Sequence, residues 1–242
     1  TLLWSKLFGI PGTGHAYDLV SQGDVLIATG VVAKASVYTS LNNGYIIKLN
    51  NSNGALLWTR NIESRGRSNN LHQVKIWGNE LLFTMYNSED YTSGDCAPYY
   101  FRTDTSGNPV LMASLTFTGL NRQFLNMYTN VIPGVGYIMT LTEHQNNSSP
   151  KILKISEGHR FEWIRLYTPF YSQSLGNIVG DKNGFTTVGK VTKTAGGNTD
   201  ILLIKTSALG YIGNDPQAGC VQTGLDATYN EPEVLSMAVP DE

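Results

Sequence analysis

Charge is scarce in this sequence. Asp, Glu, Lys and Arg together make up 15% of its 242 residues, against roughly 25% in ordinary soluble domains. The net charge is −2 at pH 7, so there is no basic field to hold nucleic acid or an anionic membrane surface. No apolar run approaches the roughly 18 residues a membrane-crossing helix needs, so no membrane insertion is expected. Cysteine is limited to Cys96 and Cys220. Two cysteines so far apart exclude a dense disulfide scaffold and any C-x-x-C metal knuckle. They leave one candidate disulfide in an oxidising compartment, or two separate thiols. H-E-x-x-H, EF-hand, G-x-S-x-G and P-loop spacings are all missing, and with them the metal, nucleotide and nucleophile chemistries they would bring. No stretch has the 3.6-residue apolar period of a useful amphipathic helix. The sequence opens at Thr1 rather than at Met, as removal of a leader or excision from a longer chain would leave it.

Glycine, tyrosine, asparagine, serine and threonine fill the space that charge leaves. This is the composition of many short strands and turns. The chain also repeats itself. TLLWSK at 1–6 returns as ALLWTR at 55–60. Aligned on one cation, four segments follow a single pattern: GYIIKLNNSNGALLWTR (44–60), PYYFRTDTSGNPVLMAS (98–114), KILKISEGHRFEWIR (151–165) and DILLIKTSALGYIG (200–213). The anchors Lys48, Arg102, Lys154 and Lys205 are spaced 54, 52 and 51 positions apart. Each sits in a run rich in Ile, Leu, Tyr and Phe, the residues that favour strands. A turn glycine follows (Gly54, Gly107, Gly158, Gly210), and in three copies a large apolar residue comes next, Trp58, Met112 or Trp163. Upstream of each anchor two further apolar runs flank a short turn: Gln22-Gly23, Gly78-Asn79, Pro133-Gly134 or Lys182-Asn183-Gly184. Paired runs joined this way read as hairpins.

Four short antiparallel strands recurring at about 50 residues make a propeller blade. The fold class expected is therefore all-β, a β-propeller of about four four-stranded blades, with a fragment of a larger propeller as the alternative. The blades fall at about 15–60, 71–114, 124–165 and 174–212. The fourth copy lacks its Trp-bearing strand, and residues 1–8 are such a strand without its predecessors. The expectation is that this N-terminal strand completes the last blade, giving a propeller domain over 1–213. Residues 214–242 leave the pattern and read as a C-terminal extension or linker, with VLSMAV as a partial strand pairing elsewhere.

The run KLNNSNGALLWTR resembles the bacterial β-propeller repeats of the form I-K-L-D-x-x-G-x-x-x-W, and the tryptophan-docking motif of quinoprotein-like propellers. In that motif glycine precedes tryptophan by four, as Gly54 precedes Trp58. Arg102, Asp104 and Gly107 in RTDTSGN resemble a degenerate Asp-box of sialidase-like propellers. The resemblance covers about 210 residues and implies a scaffold role: tryptophans docking between blades, turns ordering hairpins. Trp4, Trp58, Trp163, Gly54, Gly107 and Gly210 are structural on this reading. The chain departs from the pattern at Met112 and in its fourth copy.

Candidates for chemistry are few. Arg60 and Arg165 recur at one repeat position, two residues after Trp, and repetition argues for scaffold. No catalytic residue, cofactor or metal site is assigned. His15 and His72 fall near the start of the first strand in their copies and read as core or rim residues rather than metal ligands. The loop NSEDYTSGDCAPYY (87–100) joins acidic groups to tyrosines, and Asp90, Tyr91, Asp95 and Tyr99 are its ligand-binding candidates. Tyrosine with small polar residues offers contact area at low entropy cost. The expected function is non-enzymatic: an adhesion or binding propeller in an extracellular, cell-surface, virion or periplasmic setting, recognising a protein or glycan. The first alternative is a structural subunit of a larger filament, adhesin or tail, joined to further modules. The second is a propeller-scaffold hydrolase or oxidoreductase.

Overall fold

The computed structural model describes residues 3–6, 8, 14–33, 42–63, 68–88, 96–117, 124–143, 150–167, 172–192, 198–212, 220–221, 227–230 and 236–238. Among them there is no helix. The chain is all-β, of the four-bladed β-propeller class, and its contacts divide it into two compact units. The first comprises residues 1–114 and 230–242, and the second comprises 115–229.

In the first unit, β1 (Gly14–Gln22), β2 (Val25–Ala33), β3 (Asn42–Asn50) and β4 (Leu56–Glu63) form one antiparallel meander. β5 (Ser68–Trp77), β6 (Glu80–Ser88), β7 (Cys96–Asp104) and β8 (Pro109–Phe117) form the next. In the second unit, β9 (Phe124–Ile132), β10 (Gly136–Glu143), β11 (Lys151–Ser156) and β12 (Phe161–Tyr167) form the third. β13 (Ser172–Asp181), β14 (Gly184–Thr192) and β15 (Thr199–Ser207) form the fourth, with three strands among the described residues. Three short strands follow, β16 (Cys220–Val221), β17 (Ala227–Asn230) and β18 (Ser236–Ala238).

The hairpins close where turn residues permit it. Gln22 pairs with Val25 across Gly23, and Trp77 pairs with Glu80 across Gly78. Both glycines have positive φ, 57° and 56°, the conformation that a two-residue hairpin of this kind demands.

Each unit has its own apolar core. In the first, Ile27, Ile46 and Ile62 from one blade meet Leu71, Phe83 and Phe101 from the next. In the second, Ile138, Ile152 and Trp163 meet Leu175, Phe185 and Ile204. Polar bonds fix the register between neighbouring blades. Asp18 Oδ2 accepts from the Val74 amide at 3.1 Å and from Lys75 Nζ at 2.8 Å. Asn42 Nδ2 donates to Asn70 Oδ1 at 3.2 Å. In the second unit Thr140 Oγ1 donates to the Gly176 carbonyl at 3.1 Å, and Thr142 Oγ1 accepts from the Leu175 amide at 3.2 Å.

The N-terminal segment meets a different picture. Residues 3–6 have no strand conformation, and Trp4 is held through its side chain. Its ring lies against Gly54 and its Nε1 donates to the Asn51 carbonyl at 2.8 Å. The 214–242 segment also contributes strands. β18, inside VLSMAV, pairs with β4 from Ser236↔Glu63 to Ala238↔Asn61. β16 pairs with β12 at Leu166↔Val221 and Tyr167↔Cys220. Both cover edge strands that would otherwise present unpaired amides.

Candidate functional site

The repeated motif is a clamp. The ring of Trp58 lies against Gly107 of the following blade, where a Cβ would sit 3.1 Å from Trp58 Cη2 and 3.4 Å from Arg60 Nε. Trp163 and Arg165 hold Gly210 in the same way, at 2.8 and 3.0 Å. Trp4 does so for Gly54 at 2.7 Å. The recurring arginines complete the grip. The Arg60 and Arg165 guanidiniums each lie 5.2 Å from the ring of the tryptophan two residues earlier. Arg60 also donates to the Ser106 carbonyl, and Arg165 to Tyr211 Oη, both at 3.2 Å. Lys48 sits opposite Trp58 in the ladder, lies over its ring and donates to the Thr105 carbonyl. These cations pack on tryptophan rings and donate to turn carbonyls or a tyrosine hydroxyl.

The third repeat departs from this pattern. There the left-handed turn residue is His159, φ 60°, not Gly158. Its amide bonds to Ser156 as those of Gly107 and Gly210 bond to Asp104 and Ser207. The preceding repeat is the one with Met112 in place of Trp.

Of the loop candidates, Asp90, Tyr91 and Asp95 lie outside the described residues. Tyr99 is in β7, opposite Met85 and Ser114, with 9% of its surface exposed in the core of the first unit. It packs in that core. Cys96 and Cys220 begin β7 and β16, and their side chains are outside the described set.

A second group of residues, not singled out together by the sequence, converges on the first unit. Tyr17 and His72 stack with ring centroids 4.8 Å apart and planes at 5°. His72 continues to Tyr86 at 4.9 Å and 39°, and Tyr17 to His15 at 6.5 Å and 26°. The row runs from an exposed end, with His15 exposed and Tyr17 at 45%, to a half-buried one at His72 and Tyr86. Its geometry comes from two bulges. The β1–β2 register shifts between Ala16 and Asp18, and the β5–β6 register between Leu71 and Gln73. A bulge leaves one residue unpaired and turns its side chain out of the alternation. The residues so turned are Tyr17 and His72. Asp18, the next residue, clamps β1 onto Val74 and Lys75 and holds the rings in register.

Burial pushes the His72 pKa down to about 4, so the imidazole is neutral at physiological pH. Its Nε2 is buried with no hydrogen-bond partner among the described atoms. The fourth blade has a bulge at the corresponding place in β13, between Leu175 and Ile178, but it holds Gly176 and Asn177. Their carbonyls accept from Thr140 and Thr187, and no ring is presented. No group of three or more His, Cys, Asp or Glu side chains is arranged to hold a metal ion among the described residues.

The sequence hid this pairing. His15 and His72 looked comparable but sit two positions apart in the repeat. The hairpin registers show that the equivalent of His72 is Tyr17, each five residues before the last paired residue of its strand, Gln22 or Trp77.

No family model matches the chain, and no curated protein does. Among solved structures it is similar to that of a BT0996 RGII complex, with a TM-score of 0.50 and 10% identity. The match covers 86% of this chain and 74% of the matched one. At that identity the likeness is one of fold, the propeller architecture carried over most of the chain.

Proposed function

We propose that this protein is a non-enzymatic binding propeller of the extracellular, cell-surface or periplasmic space, and that its ligand is a glycan. The observation that carries this reading is the shared architecture over 86% of the chain with a structure solved as an RGII complex. Composition agrees with it: low charge and abundant tyrosine, asparagine and serine suit neutral, hydroxyl-rich partners better than nucleic acid or membrane. The repeated arginines support it too, because they are committed to tryptophan rings, a turn carbonyl and a tyrosine hydroxyl and are not gathered around a substrate.

The test is a binding screen of the intact chain against RGII and a panel of other polysaccharides, by calorimetry and on an array, with a parallel assay for release of sugar. Saturable binding of at least one glycan without product release is the expected result. Binding only to proteins, or release of reducing ends, would replace this reading with the adhesion-to-protein or hydrolase alternatives.

A further inference from the structure

The repeat makes blade faces comparable position by position. Lys48, Lys154 and Lys205 each stand opposite the third residue of the second strand of their blade, Ile27, Ile138 and Thr186. Two residues before these anchors come Ile46, Ile152 and Leu203. Ile46 shares a core with Val74 of the following blade, and Ile152 shares one with Ile178 of the blade that follows it. Both isoleucines are almost fully buried, but Leu203 is 69% exposed. Ile201, on the same side of β15, is 85% exposed. The cross-strand partners of Ile46 and Ile152 are Thr29 and Thr140, both buried, whereas the partner of Leu203 is the exposed Val188. Val188, Ile201 and Leu203 therefore stand in water on a face that is covered in the first and third blades. A contiguous apolar patch of this kind marks an interaction surface. Among the described residues no strand pairs with the outer edge of β15, whereas the other three sheets continue to β4, β8 and β12.

The complement of this face lies on the first blade. Leu19, Val74 and Ile178 each sit three residues before the last paired residue of the first strand of their blade, Gln22, Trp77 or Asp181. Val74 and Ile178 receive the preceding blade and are almost fully buried, but Leu19 is 57% exposed. Trp4 points to the same conclusion. It lies on Gly54 as Trp58 lies on Gly107 and Trp163 on Gly210. In the last two cases the tryptophan comes from the outer strand of the preceding blade, β4 or β12. Residues 3–6 thus take, against the first blade, the place of a preceding blade's outer strand.

We propose that the chain self-associates head to tail: the Leu203 face and β15 edge of one copy take the Leu19 face and Trp4 segment of a second copy. The contact repeats between copies the blade-to-blade packing that each unit makes internally. An unrelated partner has no reason to match the repeat, whereas a second copy carries both halves of it. The Trp4 segment adds to β15 as an outer strand, and its backbone bonds supply affinity. By the registers Lys48↔Trp58 and Lys154↔Trp163, Trp4 of one copy falls opposite Lys205 of the other. Lys205 is exposed, and there it gains the ring contact that Lys48 makes with Trp58. Burial of Leu19, Val188, Ile201 and Leu203 supplies the apolar part. The contact is heterologous, because each copy uses two different faces.

The experiment follows the intact chain by sedimentation velocity over a concentration series, beside Leu19→Asp and Leu203→Asp. Both substitutions are at exposed positions, and circular dichroism checks their folding. The wild-type mass should rise with concentration to about twice that of one chain or beyond, and each variant alone should associate about tenfold or more weakly. An equimolar mixture of the two variants should regain a complex of two chains. Leu19→Asp keeps an intact Leu203 face, and Leu203→Asp keeps an intact Leu19 face. In the wild type, amide exchange in β15 should slow as concentration rises, a readout that needs no variant. A wild-type chain that stays monomeric throughout overturns the proposal, whether its faces are closed within the chain or filled by another protein. Association that survives Leu19→Asp overturns it too, as a symmetric contact between Leu203 faces would produce. So does a mixture of folded variants that stays monomeric.

Discussion

Gly107 and Gly210 show what a single position can demand. Both have positive φ, 82° and 77°, and both lie under an indole where a Cβ would intrude. Gly107→Ala is therefore penalised twice, by backbone strain and by displacement of the Trp58 ring, and should cost about 2 kcal/mol in chemical denaturation. Trp163 is 8% exposed and packs between Phe185 and Arg165. Trp163→Ala should cost about 4 kcal/mol. His72 adds a pH dependence. Its pKa falls from 6.5 in the unfolded chain to about 4 in the fold, so the unfolded state binds the extra proton between those values. Stability is then full above about pH 6.5 and is lost as pH falls toward 4, by at most about 3 kcal/mol. Denaturation curves of His72→Phe between pH 7 and 4 should show that share of the slope removed.

Among the strands, bulges and edges decide most. Asp18 is the fastener that makes the β1 bulge useful, since one carboxylate oxygen holds both an amide and an ammonium of β5. Asp18→Ala should cost about 1–2 kcal/mol. It should also shift the ring protons of Tyr17 and His72 in an NMR spectrum, a change that loss of stability alone would not confine to those rings. β18 protects the edge of β4 through three paired residues. Truncation before Ser236 should leave that edge open and raise the tendency to aggregate, read by light scattering under conditions where the full chain stays monodisperse.

For the molecule as a whole, two cores and little charge set the behaviour. The slowest amide exchange should appear in β6, β7, β10 and β11, whose apolar side chains Leu81, Phe83, Phe101, Ile138 and Leu153 are almost fully buried. With a net charge of −2 and no basic field in the sequence, glycan affinity should change less than about twofold between low and high salt. A steep salt dependence in calorimetry would point to an ionic site and count against recognition through neutral polar and aromatic groups.

The strands, their hairpin turns and the blade period are legible in the order of residues alone. They depend on local chemistry: β-formers between residues such as Gly23 and Gly78 that tolerate positive φ, repeated with a cation opposite a tryptophan. Trp58 and Trp163 are legible as docking residues too, because a large ring recurring at one register is hard to explain except by packing. The rest follows only from how the strands pair and pack. Which residue occupies the left-handed turn of the third repeat, His159 rather than Gly158, depends on how the hairpin closes and not on where a glycine is written. Trp4 holds its glycine without a strand, since a ring and one indole hydrogen bond suffice. Tyr99, which composition placed among ligand loops, is directed into the core by the two-residue alternation of β7. Tyr17 and His72, 55 positions apart and unlike in type, become stacked partners only because two bulges turn them out of the pleat and Asp18 ties their strands together. A one-residue shift in pairing has no signature in composition or period, and it is what brought these two rings together.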